Sequence, residues 1–112
     1  MRIAIPLADG NFALHFGHCA SFALIDVNPV DNTIMAWQDI PAPPHQPGLL
    51  PPWLAERGVT TIIAGGMGRR AQQLFAAQGI AVVIGAPAAP PERIVVDYLA
   101  GKLQLGQNVC DH

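Results

Sequence analysis

Two short apolar runs, Thr60-Thr61-Ile62-Ile63-Ala64 and Ile80–Ile84, constrain the fold of this chain more than any other feature. Strands that read as continuous hydrophobic runs, without polar alternation, are buried on both faces, as parallel sheets require. Between the two runs lie Gly65-Gly66-Met67-Gly68 and then Arg69–Gln78, where Ala71, Leu74 and Phe75 recur at helical spacing before Gly79. Strand, helix and strand in that order predict a parallel pair joined by a right-handed crossover.

The first half of the chain has a different rhythm. Arg2–Leu7 reads as a strand, and Ala8–Cys19 as a loop rich in Gly, Asn and His. Ser21–Val27 and Thr33–Ile40 read as two strands joined as a hairpin through the turn-forming Asn28-Pro29-Val30-Asp31-Asn32. The second of these sorts its faces poorly and suits an edge. Ile40–Pro52 carries Pro41, Pro43, Pro44, Pro47, Pro51 and Pro52 and reads as an exposed loop around His45. A helix ends over Trp53–Arg57, with Leu49, Leu50, Trp53 and Leu54 on one face and Gly58 as its stop. A last helix opens at Pro90-Pro91 and carries Ile94, Val95, Tyr98 and Leu99 at helical spacing. The order β-β-β-α-β-α-β-α predicts one α/β domain over residues 1–112, its sheet antiparallel early and parallel late, with 106–112 a flexible tail.

Composition narrows the function. Apolar residues make up 51% and charged residues 12%, enough for one buried core. The formal charge of −2 comes with no run of Lys or Arg, which disfavours a nucleic-acid partner. Asp9 ends the apolar start too early for a signal peptide, and no stretch is long enough to span a bilayer. A soluble cytoplasmic protein is the expectation, with its two cysteines read as free thiols.

Three of the four histidines and both cysteines fall in two short stretches, His15-Phe16-Gly17-His18-Cys19 and Cys110-Asp111-His112. Imidazole and thiolate are the side chains that best hold borderline metals and metal–sulfur clusters. His15, His18 and Cys19 are candidate ligands in the first stretch, Cys110 and His112 in the second, and His45 lies in another loop. Against this, Phe16 alone could plug the core and Cys19 could be a small buried hydrophobe. The spacing matches no standard zinc module. Gly66, Gly68 and Arg69, with Arg70 beside them, sit between a strand end and a helix start, where backbone N–H groups and the helix dipole favour an anion. The P-loop, nucleophile-elbow and H-E-x-x-H signatures are all missing. A non-enzymatic binding protein is therefore the expectation. Two other classes stay open: a small enzyme using Cys19 or a mononuclear metal, and a metal-free regulatory domain acting through protein contacts.

Several segments together resemble the dinitrogenase iron–molybdenum cofactor biosynthesis family, which includes the NifX and NafY carriers and the C-terminal domain of NifB. They are Arg2-Ile3-Ala4-Ile5-Pro6, His15-Phe16-Gly17 with Phe22, the run Gly58–Gly68 with Ala71 and Leu74, Gly79-Ile80-Ala81-Val82, and Tyr98–Leu103 with the terminal Cys-x-His. The resemblance implies a ribonuclease H-like fold, a five-stranded mixed sheet of order 3-2-1-4-5 flanked by helices. It also implies non-catalytic binding, carriage or assembly of a metal–sulfur cluster, of the iron–molybdenum or molybdenum/iron/copper-sulfide type. Nitrogen fixation is the setting of the family's carriers, and cofactor-assembly or acceptor proteins would be the partners. In those carriers the histidine of the His-Phe-Gly motif is a cluster ligand, and here that residue is His15.

Overall fold

The computed structural model describes residues 1–44 and 46–107, with every side chain among them but that of His18. Among these described residues six strands, three α-helices and one short 3-10 turn follow in chain order. The strands are β1 (Arg2–Ala8), β2 (Asn11–Phe12), β3 (Ser21–Asn28), β4 (Thr33–Pro41), β5 (Thr61–Ala64) and β6 (Ala81–Ile84). The helices are α1 (Leu50–Glu56), α2 (Arg69–Ala77) and α3 (Pro91–Leu99), and the 3-10 turn covers Phe16–His18.

The sheet runs β4-β3-β1-β5-β6, with β2 attached to β1 off that path. Six strands rather than five correct the expected order 3-2-1-4-5, because β2 enters the chain second and pairs only with β1. Asp9 and Gly10 both adopt positive φ, 53° and 79°, closing β1 onto β2 in a two-residue hairpin. The expected loop over 8–19 therefore begins as a strand pair. β1 lies antiparallel to β3 and parallel to β5, so the sheet is mixed as expected. Pro6 is tolerated in this central strand because the β1–β5 pairing ends at Ala4, before a missing N–H would matter.

β5 and β6 pair in parallel over Thr61–Ala64 and Ala81–Ile84. β5 is buried throughout, which fits its apolar run. β6 departs from expectation: it ends the sheet, and its residues are exposed or only half-buried. Val82 and Ile84 still pack onto one core layer and Val83 onto the other, so the apolar run serves an edge with two partly covered faces.

Two apolar layers sandwich the sheet. One joins Phe22, Leu24, Ile62 and Met67 with Leu54 of α1 and Phe75 of α2. The other joins Ile3, Ile5, Ile25 and Ile63 with Ile94 and Val95 of α3. α3 buries the stripe its spacing predicts, whereas in α2 Phe75 and Ala71 pack onto the core and Leu74 stays outside both layers. Among the described residues no helix is long and apolar enough to cross a membrane.

Candidate functional site

Beyond the β1–β2 hairpin the chain runs alongside the end of β5. The Gly66 N–H donates to the Leu14 carbonyl at 2.8 Å, and the Phe16 N–H donates back to the Gly66 carbonyl at 2.9 Å. His15 pairs with Gly66 as an isolated parallel bridge between these two bonds. The approach is close enough to demand glycine, since a Cβ on Gly65 would stand 2.7 Å from the Leu14 oxygen. The two segments singled out in sequence, His15-Phe16-Gly17 and Gly65–Gly68, are thereby one structural unit.

Phe16 fixes that unit from below. Its ring is 8% exposed and meets Phe75 edge-on at 5.5 Å between centroids, with Phe22 at 6.3 Å. The core-plug reading of Phe16 therefore holds together with the outward position of its neighbours. His15 and Gly17 on either side are exposed. An anchored loop with an exposed imidazole loses little entropy on taking a ligand, which favours binding there.

Cys19 is built differently. It packs against the Phe22–Phe75 core layer, and burial pushes its thiol up to about 11. The thiolate is both the nucleophile and the metal ligand, so this environment works against either role at neutral pH. Cys19 still borders the site, lining a cavity of about 300 Å³ with Phe16, Gly17, Pro43, Leu49 and Leu50. A second cavity of about 340 Å³ adjoins it, walled by Gly17, Gln46, Gly68, Arg70 and Leu74. Phe16, Gly17, Gln46 and Leu50 face both. Together they form a cleft between the His15 loop, the proline-rich loop and the start of α2. Such a cleft beyond the C-terminal ends of parallel strands is where open α/β sheets bind ligands.

The start of α2 is electropositive. Gly68 occupies the N-cap, among the described residues no side chain caps it, and the first turn holds no acid. Arg69 and Arg70 stand at this positive dipole end, an arrangement that costs about 0.3–1 kcal/mol per like charge unless an anion joins it. Arg70 faces the cleft, whereas the expected Arg69 is exposed and lines neither cavity. Both arginines are visible in the sequence at the helix start; Gln46, Leu50 and Leu74, which also line the cleft, carry no signal there beyond their apolar or loop character.

His45, Cys110 and His112 lie outside the described residues, as does the side chain of His18. Among the described residues no group of three or more His, Cys, Asp or Glu side chains comes together to hold a metal ion. The last described residues stay near the same rim: Gly106 N–H donates to the Gly85 carbonyl at 2.7 Å, and Gly85 N–H to the Gly65 carbonyl at 3.0 Å.

A family model described as dinitrogenase iron-molybdenum cofactor matches residues 1–101. Among solved structures, PH0822 is similar over 96% of both chains, with a TM-score of 0.88 and 28% identity. The Methanocaldococcus jannaschii protein mj0327 also shares 96% of both chains, at a TM-score of 0.75 and 16% identity. The apo form of the orange protein from Desulfovibrio gigas aligns with 96% of this chain and 93% of its own, at a TM-score of 0.70 and 24% identity. The latter two likenesses concern the fold alone. No curated protein matches the chain.

Proposed function

The chain belongs to the dinitrogenase iron-molybdenum cofactor family, and on that footing we propose that it binds and carries a metal–sulfur cluster without catalysing a reaction. The observation that carries this reading is the pairing of the His15 segment with the Gly65–Gly66 turn. It sets an exposed imidazole beside an uncapped helix start bearing two arginines. Metal–sulfide clusters of the iron–molybdenum type are anionic, so they complement that charge. A cargo that must be passed on needs few protein bonds, and one imidazole with no closed four-ligand cage suits transfer better than storage.

In this reading His15 supplies the first bond, Arg70 and Arg69 with the Gly66–Gly68 backbone hold the anionic charge, and the proline-rich loop bearing His45 borders the cargo. His18, Cys110 and His112 are further donors; the anchoring of Gly106 to Gly85 supports a tail that starts from the same rim. Cys19 contributes a wall, since its thiol stays protonated until well above neutral pH. The setting is cytoplasmic and the partners are the proteins that build or accept the cluster. The second reading, an enzyme using Cys19, is weakened by that same buried thiol.

Anaerobic purification with elemental analysis and an absorption spectrum tests the proposal. Iron or molybdenum with sulfide-to-metal absorption, native or after cluster addition, is the expected result. One zinc per chain would point to a mononuclear site, and no metal after cluster addition would overturn the reading.

A further inference from the structure

β4 ends the sheet, and among the described residues nothing pairs with its outer edge. That edge is nine residues long, about 30 Å at ~3.4 Å per residue. Proteins usually guard such an edge with lysines, internal prolines or short length. Here Thr33 to Gln38 carry no charge, Asp39 is the single charged residue, and proline comes only at the last position, Pro41. One guard is present, a register shift against β3 at Asp26/Val27, which leaves Ala36–Pro41 in regular register.

Exposed apolar side chains gather at the same margin. Val30 is 93% exposed, Met35 68%, Val96 52% and Ile34 42%, four of the six large hydrophobics exposed among the described residues. Ile34 of β4 and Val96 of α3 line one shallow cavity with Leu99. This margin is built from the start of β4 and the outer side of α3, away from the His15 cleft, with Met35 lining a separate shallow cavity beside Arg2, Asp26 and Gly58.

We propose that this margin is a dimer interface, at which β4 pairs antiparallel with β4 of a second copy across a two-fold axis normal to the sheet. Two arguments favour a second copy over a foreign strand. The first is charge. A two-fold interface sets one patch against itself, and an uncharged strand does so without repulsion. With the axis between Ala36 and Gln38, Asp39 falls opposite residues 33 to 37 of the partner, all of them uncharged. A strand guarded by charges would find no countercharge on this edge. The second argument is area. A strip about 30 Å long and about 20 Å deep, sheet and helix layer together, covers on the order of 600 Å² per copy. The total, about 1,200 Å², meets the lower bound for a specific interface, the size class of weak and transient pairs. The axis normal to the sheet keeps both α3 helices on one face and sets Ile34 and Met35 opposite residues 37 to 42 of the partner. The proposal is independent of any bound cluster.

Sedimentation velocity of the full chain from about 5 to 500 µM reads the outcome. The expected mass rises from 11.9 kDa toward twice that value with concentration. The double variant Met35→Lys with Val96→Lys changes two exposed positions and should weaken association at least 10-fold with an unaltered circular dichroism spectrum. If that variant folds poorly, Ala36→Glu, at an exposed position in the middle of the edge, gives the same reading. A wild-type chain that stays monomeric throughout overturns the proposal. So does a dimer that both variants leave intact, because its interface would lie elsewhere.

Discussion

Replacing Gly65 by alanine should detach the His15 loop from the sheet. The new Cβ would stand 2.7 Å from the Leu14 carbonyl oxygen, 3.0 Å from Leu14 Cδ1 and 3.3 Å from Leu14 Cα. A backbone oxygen cannot swing aside as a side-chain end can, so the whole 14–16 segment must retreat. Its retreat breaks the Gly66-to-Leu14 and Phe16-to-Gly66 hydrogen bonds, 2.8 and 2.9 Å long. Each is worth about 1 kcal/mol net, and leaving a buried group unpaired costs more, so about 2–4 kcal/mol is lost. For a domain near this size that lowers Tm by about 10–20 °C. Gly17→Ala is the control, because a Cβ there meets nothing within 4 Å and its cost should stay within about 0.5 kcal/mol. Thermal unfolding gives the magnitude, and hydrogen exchange at the Phe16 and Gly66 amides gives the location. A Gly65→Ala protein melting within about 2 °C of wild type, with both amides still protected, would show that the loop does not depend on this close approach.

Two titrations follow from the structure. The Cys19 thiol, raised to about 11 by burial, should show a thiolate population about 100-fold below that of a free thiol near pKa 9, and alkylate correspondingly slowly. In a Cys110→Ser background, native and unfolded chains reacting equally fast at neutral pH would contradict this. The unfolded thiol ionises first, so stability should decline as pH rises from about 9 toward 11. The Arg2–Asp26 pair, 2.6 Å apart with side chains 37% and 39% exposed, acts at the other end of the scale. Arg2 lowers the Asp26 pKa, so the pair's stabilisation is present above the unfolded value and lost as pH falls through the folded one. Solvent screening limits it to about 0.2–1 kcal/mol; Asp26→Asn costing much more in denaturant unfolding would assign Asp26 a different role.

The sequence carried the large elements because their signals were local. Continuous apolar runs marked β5 and β6, and the 3.6-residue spacing of Ile94, Val95, Tyr98 and Leu99 marked α3. Asp9-Gly10 between apolar segments is a hairpin signal and was readable, yet its two-residue partner strand is too short to show periodicity. The exposure of β6 was not readable, since an apolar run does not say how many strands lie beyond it. The His15 and Gly65–Gly68 motifs were each visible, but their union rests on backbone bonds across about 50 residues of chain, which no local pattern encodes. Arg70 rather than Arg69 faces the cleft because of the rotation of α2 about its axis, set by Phe75 packing inward, which puts Arg70 and Leu74, one turn apart, on the cleft side.

Cluster carriage turns on His15. Wild type and His15→Ala should be compared side by side for thermal unfolding and for uptake of a synthetic iron–molybdenum–sulfide cluster under anaerobic conditions. The residue is exposed, and its backbone bridge to Gly66 does not depend on the side chain. Melting within about 2 °C of wild type together with loss of most cluster uptake is the expected result. Unchanged uptake, or a protein that melts much lower yet binds normally, would contradict it and make His15 a structural residue.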